Sequence, residues 1–329
     1  MLAARTFVTE IATALGMLGD TDLEAVLARQ PSEMANLTDA DWERLRDLRK
    51  QGLHDSDFAA GFANGLAFLA AADALNGRRP RIIEWTGGRR SPGDEVVPAD
   101  LRVDHVYLIS CKYLSKILHN PSPARLVEGL LTNETVDLGD WYHRIAPQEY
   151  QALYEACVPL VARNPPMAAD LRKPDRDRLA KQLASGWPSG AEAAYASLCR
   201  VVSEATAAAW RRQVTKKNQE AVLWRLLRIG SAPYFILGTS RQGSMRLRID
   251  SPWDWRQVFR LRSLELTSQP GGQPRVGWIA RYLVRETAEE RAVRGHVEIR
   301  WSHGRFGQHP EAKVYLDSPH HEVPGYHPL

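Results

Sequence analysis

The stretch SDFAAGFANGLAFLAAADALNG, Ser56 to Gly77, has helical composition, is apolar almost throughout, and closes on Asn76-Gly77. A helix that is apolar on nearly every face has to be covered on nearly every face. No uninterrupted apolar run in the chain approaches the roughly 20 residues that span a bilayer, so the cover must come from the chain itself. Immediately after Gly77 comes RPRIIEWTGG, a short β-branched and aromatic run bounded by Pro80 and Gly87-Gly88, which predicts a strand. Helix packed on sheet is therefore the first constraint.

The rest of the chain extends that plan. FVTEIATALGMLG and TDADWERLRDLRKQG predict two earlier helices, the second capped by Thr38 or Asp39 and stopped at Gly52. GRRSPGDE is a loop, and VVPADLRV with HVYLISCKY forms a hairpin around Asp104-His105. LSKILHNPSPARLVEGLL then predicts a helix, a break and a second helix. Residues 137 to 228 are mostly helical, with alanine-rich windows such as SGAEAAYASLCRVVSEATAAAWRRQ. At APYFILGTS the pattern switches to strand and continues through SMRLRIDS, WRQVFRLRSLELTS, PRVGWIARYLVRE, RGHVEIRWSHG and AKVYLDS. The expected architecture is mixed α and β in three segments: an N-terminal helical segment (1–77), a core sheet flanked by helices (78–240) with a helical insertion at about 137–228, and a β-rich C-terminal region (241–329).

The chemistry concentrates in VPADLRVDHVYLISCKYLSKIL, Val97 to Leu118, where Lys112 ends a strand that otherwise reads as buried. Burying an unpaired ammonium is costly, so such a lysine marks a site or a strand end that reaches solvent. Side chains alternate along a strand, which puts Ser110 and Lys112 on one face. Asp100 joins them if three residues, Asp104, His105 and Val106, make the connection; a two-residue turn sends it to the other face. The acid that would partner Asp100 is open among Glu84 on the preceding strand, Asp73 on the preceding helix, and Asp94 and Glu95 in the loop.

Ala99-Asp100 followed on the next strand by Ser110-Cys111-Lys112 resembles the PD-(D/E)xK nuclease superfamily, whose signature is a proline-aspartate-like dipeptide, then an acidic residue, any residue and a lysine. Ser110 stands where the family has an acid. The resemblance implies a restriction-endonuclease-like core sheet and a metal-dependent endonuclease hydrolysing DNA phosphodiester bonds, in prokaryotic restriction or phage defence. It implies Mg²⁺, or Mn²⁺, held by Asp100 and Glu84, with Lys112 assisting the attacking water and Ser110 orienting a metal-bound one. It also implies DNA as partner, a homodimer where both strands are cut, and a separate ATPase or defence-system protein, since the chain has no Walker loop of its own. Two alternatives stay open: a catalytically inactive DNA- or protein-binding subunit on the same scaffold, and a nuclease directed at RNA.

Basic residues supply candidate nucleic-acid contacts. In MRLRI, Arg246 and Arg248 alternate with Met245, Leu247 and Ile249, and VFRLRSLEL repeats the arrangement with Arg260 and Arg262. Such a face suits phosphates, which arginine binds in a forked geometry. Lys216 and Lys217, with Arg211 and Arg212, cluster at a break between helices, and Trp253, Trp255 and Trp278 would stack on bases if exposed. The histidines at 303, 309, 320, 321 and 327 match no metal-ligand spacing, and the prolines around them predict an irregular surface tail.

Composition closes off other classes. The 329 residues carry a formal charge of only +4, so placement of charge matters more than its sum. Three cysteines without CxxC spacing argue against a zinc ribbon or disulfide framework. GxGxxG after a strand and GxSxG are absent, disfavouring dinucleotide and α/β-hydrolase chemistry. With no signal-peptide pattern at the start, the expectation is a soluble cytoplasmic protein without a membrane partner.

Overall fold

The computed structural model describes residues 3–87, 99–113, 117–119, 121–127, 139–158, 166–230, 234–240 and 243–329. Its elements in chain order are α1 (Ala4–Gly16), α2 (Leu23–Arg29), β1 (Met34–Ala35), α3 (Asp39–Lys50), α4 (Asp55–Ala70), β2 (Ile83–Trp85), β3 (Leu101–Val103), β4 (Tyr107–Tyr113), β5 (Ile117–His119) and α5 (Pro123–Val127). There follow α6 (Trp141–Ile145), α7 (Pro147–Cys157), α8 (Lys173–Gln182), α9 (Ala191–Gln213), α10 (Gln219–Leu227), β6 (Tyr234–Ser240), β7 (Gly243–Ile249), α11 (Pro252–Val258), β8 (Phe259–Ser268), β9 (Arg275–Val284), β10 (Glu290–Arg300), β11 (Glu311–Leu316) and β12 (Tyr326–Pro328). Among the described residues no helix is long and apolar enough to cross a membrane.

The chain is mixed α and β and divides into two compact units, between which it passes four times. Unit 1 holds residues 1–115, 228–257 and 320–329; unit 2 holds 116–227 and 258–319. The division differs from the three expected segments. The N-terminal helices share a core with the sheet, and the helical insertion shares a unit with most of the C-terminal strands.

Unit 1 is built on a sheet of order β1-β2-β3-β4-β6-β7-β12. Strands β2, β3 and β4 form an antiparallel meander, β6 lies parallel to β4, and β7 and β12 follow antiparallel. Ile83, Trp85, Leu101, Val103, Ile109, Phe235 and Leu237 all turn to one face, where α1 and α4 cover them in a single core. This is the cover that the apolar stretch demanded. The two helices approach so closely that a Cβ on Gly16 would stand 2.1 Å from the Phe62 carbonyl oxygen, and one on Gly65 2.1 Å from that of Thr13. Helix α4 ends at Ala70, short of the expected end; Asn76 and Gly77, at φ 48° and 78°, close the turn beyond it. Thr38 rather than Asp39 caps α3, in a reciprocal pair with Asp41.

Unit 2 is an antiparallel sheet of order β5-β11-β10-β9-β8 with helices packed on it. Buried Asp140 ties three of those helices: Oδ1 accepts from Tyr142 N at the start of α6, and Oδ2 accepts from Tyr150 of α7 at 3.0 Å and Arg176 of α8 at 3.1 Å.

Several local expectations are corrected. Ile117–His119 is a strand against β11, not a helix, because its backbone finds an open ladder there. Trp255 to Val258 belongs to α11, whose start Ser251 and Asp254 fix reciprocally, with Ser251 N donating to Asp254 Oδ2 and Asp254 N to Ser251 Oγ. The last residues are not irregular throughout: β12 pairs with β7, and His327 Nε2 lies 2.9 Å from Asp250 Oδ1.

The close helix contact makes a test. Gly65→Ala forces α1 and α4 apart and is expected to cost about 1–3 kcal/mol. Gly271→Ala, where an added Cβ meets nothing within 4 Å, is expected to change stability little. Denaturant midpoints of the two variants check this, and equal midpoints would refute the packing account.

Candidate active site

Three residues, Asp104 to Val106, connect β3 to β4. Val103 faces Tyr107 and Leu101 faces Ile109 in the ladder. Asp104 and His105 take positive φ, 50° and 58°, and the Asp104 carboxylate holds the turn by accepting from Arg81 N at 2.7 Å, Ile82 N at 3.2 Å and Arg78 Nη1 at 2.6 Å. With that register Asp100 stands opposite Ser110. Its N–H donates to the Ile109 carbonyl at 2.8 Å.

Beyond that bond the two strands part, and the Asp100 side chain fills the fork. Its Oδ2 accepts from Cys111 N at 2.6 Å and from Ser110 Oγ at 3.2 Å. A carboxylate thus serves an N–H that would otherwise be left without a partner inside the fold. Ser110 is 1% exposed, and its hydroxyl is committed to Asp100. The expected role of Ser110, orienting a water on a metal, gives way to positioning the aspartate. Lys112, two residues on and on the same face, is half-buried and lies beside Gly238 of β6, where a Cβ would sit 2.0 Å from the Lys112 carbonyl oxygen. Only glycine allows β6 to run that close to the lysine's backbone.

The second carboxylate at the fork is Glu10, from the middle of α1. It is 4% exposed, and Oε2 accepts from Trp85 Nε1 at 2.7 Å. Burial, and next the charge of Asp100, push the Glu10 carboxyl up to about 8, against the Trp85 hydrogen bond and Lys112. Burial also raises Asp100, opposed by Lys112 and by the bonds from Cys111 and Ser110. Burial lowers Lys112, and the charge of Arg228 lowers it further, while Asp100 and Glu10 oppose. Arg228 is 6% exposed, takes φ 59°, and sets its guanidinium 4.8 Å from the centroid of Tyr234, whose phenol burial raises. The mutual effects place Glu10, Asp100, Lys112 and Arg228 in one electrostatic neighbourhood.

Glu84 is not part of it. It lies opposite Arg102, a full pleat repeat of roughly 7 Å along the ladder from the Asp100 row. Its Oε2 is 2.9 Å from His105 Nδ1 and 3.8 Å from Arg102 Nε. Asp73 is exposed and paired with Arg248 at 3.5 Å. Asp94 and Glu95 lie outside the described residues. Sequence pattern alone does not single out Glu10 or Arg228; the available signal for Glu10 is a lone carboxylate inside FVTEIATALG, a run that folds buried from Phe7 to Gly16.

The basic candidates separate into two groups. Arg246 donates to Asn64 Oδ1 at 2.9 Å and to the Ala63 carbonyl, and Arg248 lies 3.3 Å from Asp250, so both brace unit 1 rather than face a ligand. Arg260 and Arg262 are exposed on β8, an edge strand, and the ladder skips Arg262 in a bulge between Leu261 and Ser263. The expected simple alternation therefore breaks there. Lys216 and Lys217 are exposed in the turn between α9 and α10, which Asn218 Oδ1 closes by accepting from Thr215 N at 2.7 Å. Trp255 and Trp278 are core residues, 0% and 1% exposed, and cannot stack on bases; Trp253 is 71% exposed.

No family model, no curated protein and no solved structure matches the chain.

The raised Glu10 carboxyl has a measurable consequence. Its folded value of about 8 exceeds the ordinary 4.5, so the folded state holds this proton more tightly than the unfolded state. Stability from this group is complete below pH 4.5 and is lost as pH rises through about 8. Melting temperatures in EDTA are expected to fall by several degrees more for wild type than for Glu10→Gln between pH 5 and pH 9. A difference between the two proteins that stays constant with pH refutes the shift.

Proposed function

We propose that the chain is a metal-dependent nuclease that hydrolyses DNA phosphodiester bonds, a divergent PD-(D/E)xK enzyme with Ser110-Cys111-Lys112 in the place of the acid-x-lysine triplet. The observation that carries this reading is the hairpin register, which sets Asp100 against Ser110, on one face with Lys112 and within charge range of Glu10. The succession of α1, the β2-β3-β4 meander and β6 parallel to β4 supports a restriction-endonuclease-like core. A role in restriction or phage defence is what the family resemblance adds.

The donor set suits a hard cation. The charge of Asp100 raises the proton affinity of Glu10, Lys112 opposes the rise at both carboxylates, and a divalent ion relieves the repulsion felt by Glu10. Glu10 and Asp100 would hold Mg²⁺ or Mn²⁺. When bound, the ion supplies Lewis acidity toward a phosphate oxygen and lowers the pKa of water. Ser110 keeps the Asp100 carboxylate in its rotamer through the 3.2 Å bond. Lys112, half-buried and with its pKa lowered, sits where it can hold the attacking water and meet the charge that develops on the phosphate. Arg228 adds a second positive charge to the same neighbourhood.

A second reading has its own observation. Ser110, at the position where the family has an acid, is buried and spends its hydroxyl on Asp100. On that reading the chain binds nucleic acid on an inactive scaffold.

The deciding experiment compares wild type, Lys112→Ala and Asp100→Asn on plasmid, linear and single-stranded DNA and on RNA, with Mg²⁺, with Mn²⁺ and with EDTA. Cleavage by wild type only with metal is expected, reduced about 100-fold or more in both variants, each shown by circular dichroism to be folded at the assay temperature. Cleavage of RNA alone moves the substrate, not the site. Binding without cleavage, with affinity falling steeply in salt, establishes the second reading.

A further inference from the structure

Unit 2 contains a cleft of about 380 Å³ between the segment 183–195 and the ends of β9 and β10, lined by Trp187, Tyr195, Gln273, Arg300, Trp301 and Arg305 among others. That volume falls within the range of small-molecule sites. None of its lining residues belongs to the strand fork, and the cleft's chemistry is independent of the nuclease reading.

The walls are aromatic and held. Trp187 and Tyr195 have ring centroids 4.7 Å apart at 34°, and Trp301 lies 6.2 Å from Trp187. Trp301 is fixed from behind by Tyr142 at 4.9 Å, edge to face, and by Phe306 at 4.9 Å. All three wall rings are half-buried, so each keeps surface to offer.

The polar groups are donors. Arg305 stacks over Trp187 at 4.8 Å and gives one N–H to the Leu183 carbonyl, and no carboxylate pairs with it among the described residues. Arg300 donates to the Tyr315 hydroxyl at 3.0 Å and lies 3.5 Å from Glu298. Gln273 Oε1 accepts from the Tyr195 hydroxyl at 2.7 Å, which leaves its amide NH₂ to donate. Among the described residues no acidic one lines the cleft.

Aromatic walls alone also suit a methylated ammonium, but two arginines repel a cation. A purely apolar ligand fills the space and leaves the Arg305 charge and the Gln273 amide without partners. The ligand that uses every group is flat, stacks, accepts hydrogen bonds and carries negative charge. We infer that this cleft binds a nucleotide unit, its base against Trp187, Tyr195 and Trp301 and its phosphate on Arg305 and Arg300. The same unit arrives either as a free nucleotide or as a base swung out of a strand.

Tryptophan fluorescence titrations with AMP, GMP, CMP and TMP, and with the nucleoside adenosine, test the free source. Anisotropy titrations with labelled single-stranded oligonucleotides, intact or with one central abasic position, test the strand source. Both are run on wild type, Trp187→Ala and Arg305→Gln, with melting temperature as the fold control. The expected result is that at least one source binds, that Trp187→Ala and Arg305→Gln each weaken it at least 10-fold, and that loss of the phosphate or of the base weakens it likewise. Binding of mononucleotides assigns the free source; a preference for the intact over the abasic strand, erased by Trp187→Ala, assigns the strand source. If no mononucleotide quenches fluorescence at millimolar concentration and intact and abasic strands bind alike, or if binding ignores both substitutions, the assignment is overturned.

Discussion

One carboxylate decides the shape of the strand fork. Asp100 takes the Cys111 N–H and the Ser110 hydroxyl onto a single oxygen, and in doing so ends the regular pairing of β3 with β4. An unserved N–H in the same place would cost as much as a lost hydrogen bond. Lys112 and Glu10 feel the charge of that aspartate. Glu10, Asp100 and Lys112 are all shifted toward neutrality by the same cause, removal from water. Glu10 is pushed furthest, up to about 8, because the charge of Asp100 adds to its burial.

The helices behind the sheet are what deliver Glu10. Gly16 and Gly65 remove the side chains that would hold α1 away from α4, and the tight pair seats the face of α1 from Phe7 to Leu15 on the sheet. A carboxylate in that face has no solvent to turn to, and the Trp85 indole N–H is its buried partner. Packing and chemistry are therefore coupled: what lets the helices close also brings the acid to the fork. Unit 2 solves its own buried charge in another way, with Asp140 accepting from three elements at once, and sets Arg305 against a cleft lined by rings.

How much is legible differs from residue to residue. The hairpin, the parity of Ser110 with Lys112 and the helical cover are readable, because alternation and apolar periodicity are local properties. The loop length that admits Asp100 stays open between two and three residues in the sequence, and Asp104, bonded to Arg78, Arg81 and Ile82, settles it from 22 to 26 residues away. Glu84 is the nearer acid in sequence, yet its ladder position pairs it with Arg102 and His105. In FRLRSLEL the apolar residues change phase between Leu261 and Leu264, which is the mark of the bulge at Arg262. Arg246 and Arg248 look free in an alternating strand and are not, because α4 and Asp250 stand over that face.

By itself, the sequence determined that helices must cover a sheet, that strands dominate the C-terminal third, and that Ser110 and Lys112 share a face. These follow from the periods of 3.6 and 2 that side-chain direction imposes. Only the tertiary structure decided that Glu10 rather than Glu84 is the carboxylate that feels the charge of Asp100, that Ser110 is buried, that residues 116–227 join the strands 258–319 in one unit, and that Trp187, Tyr195 and Trp301 line one cleft. Each of these depends on distant segments meeting, and burial and charge neighbours exist only once they have met.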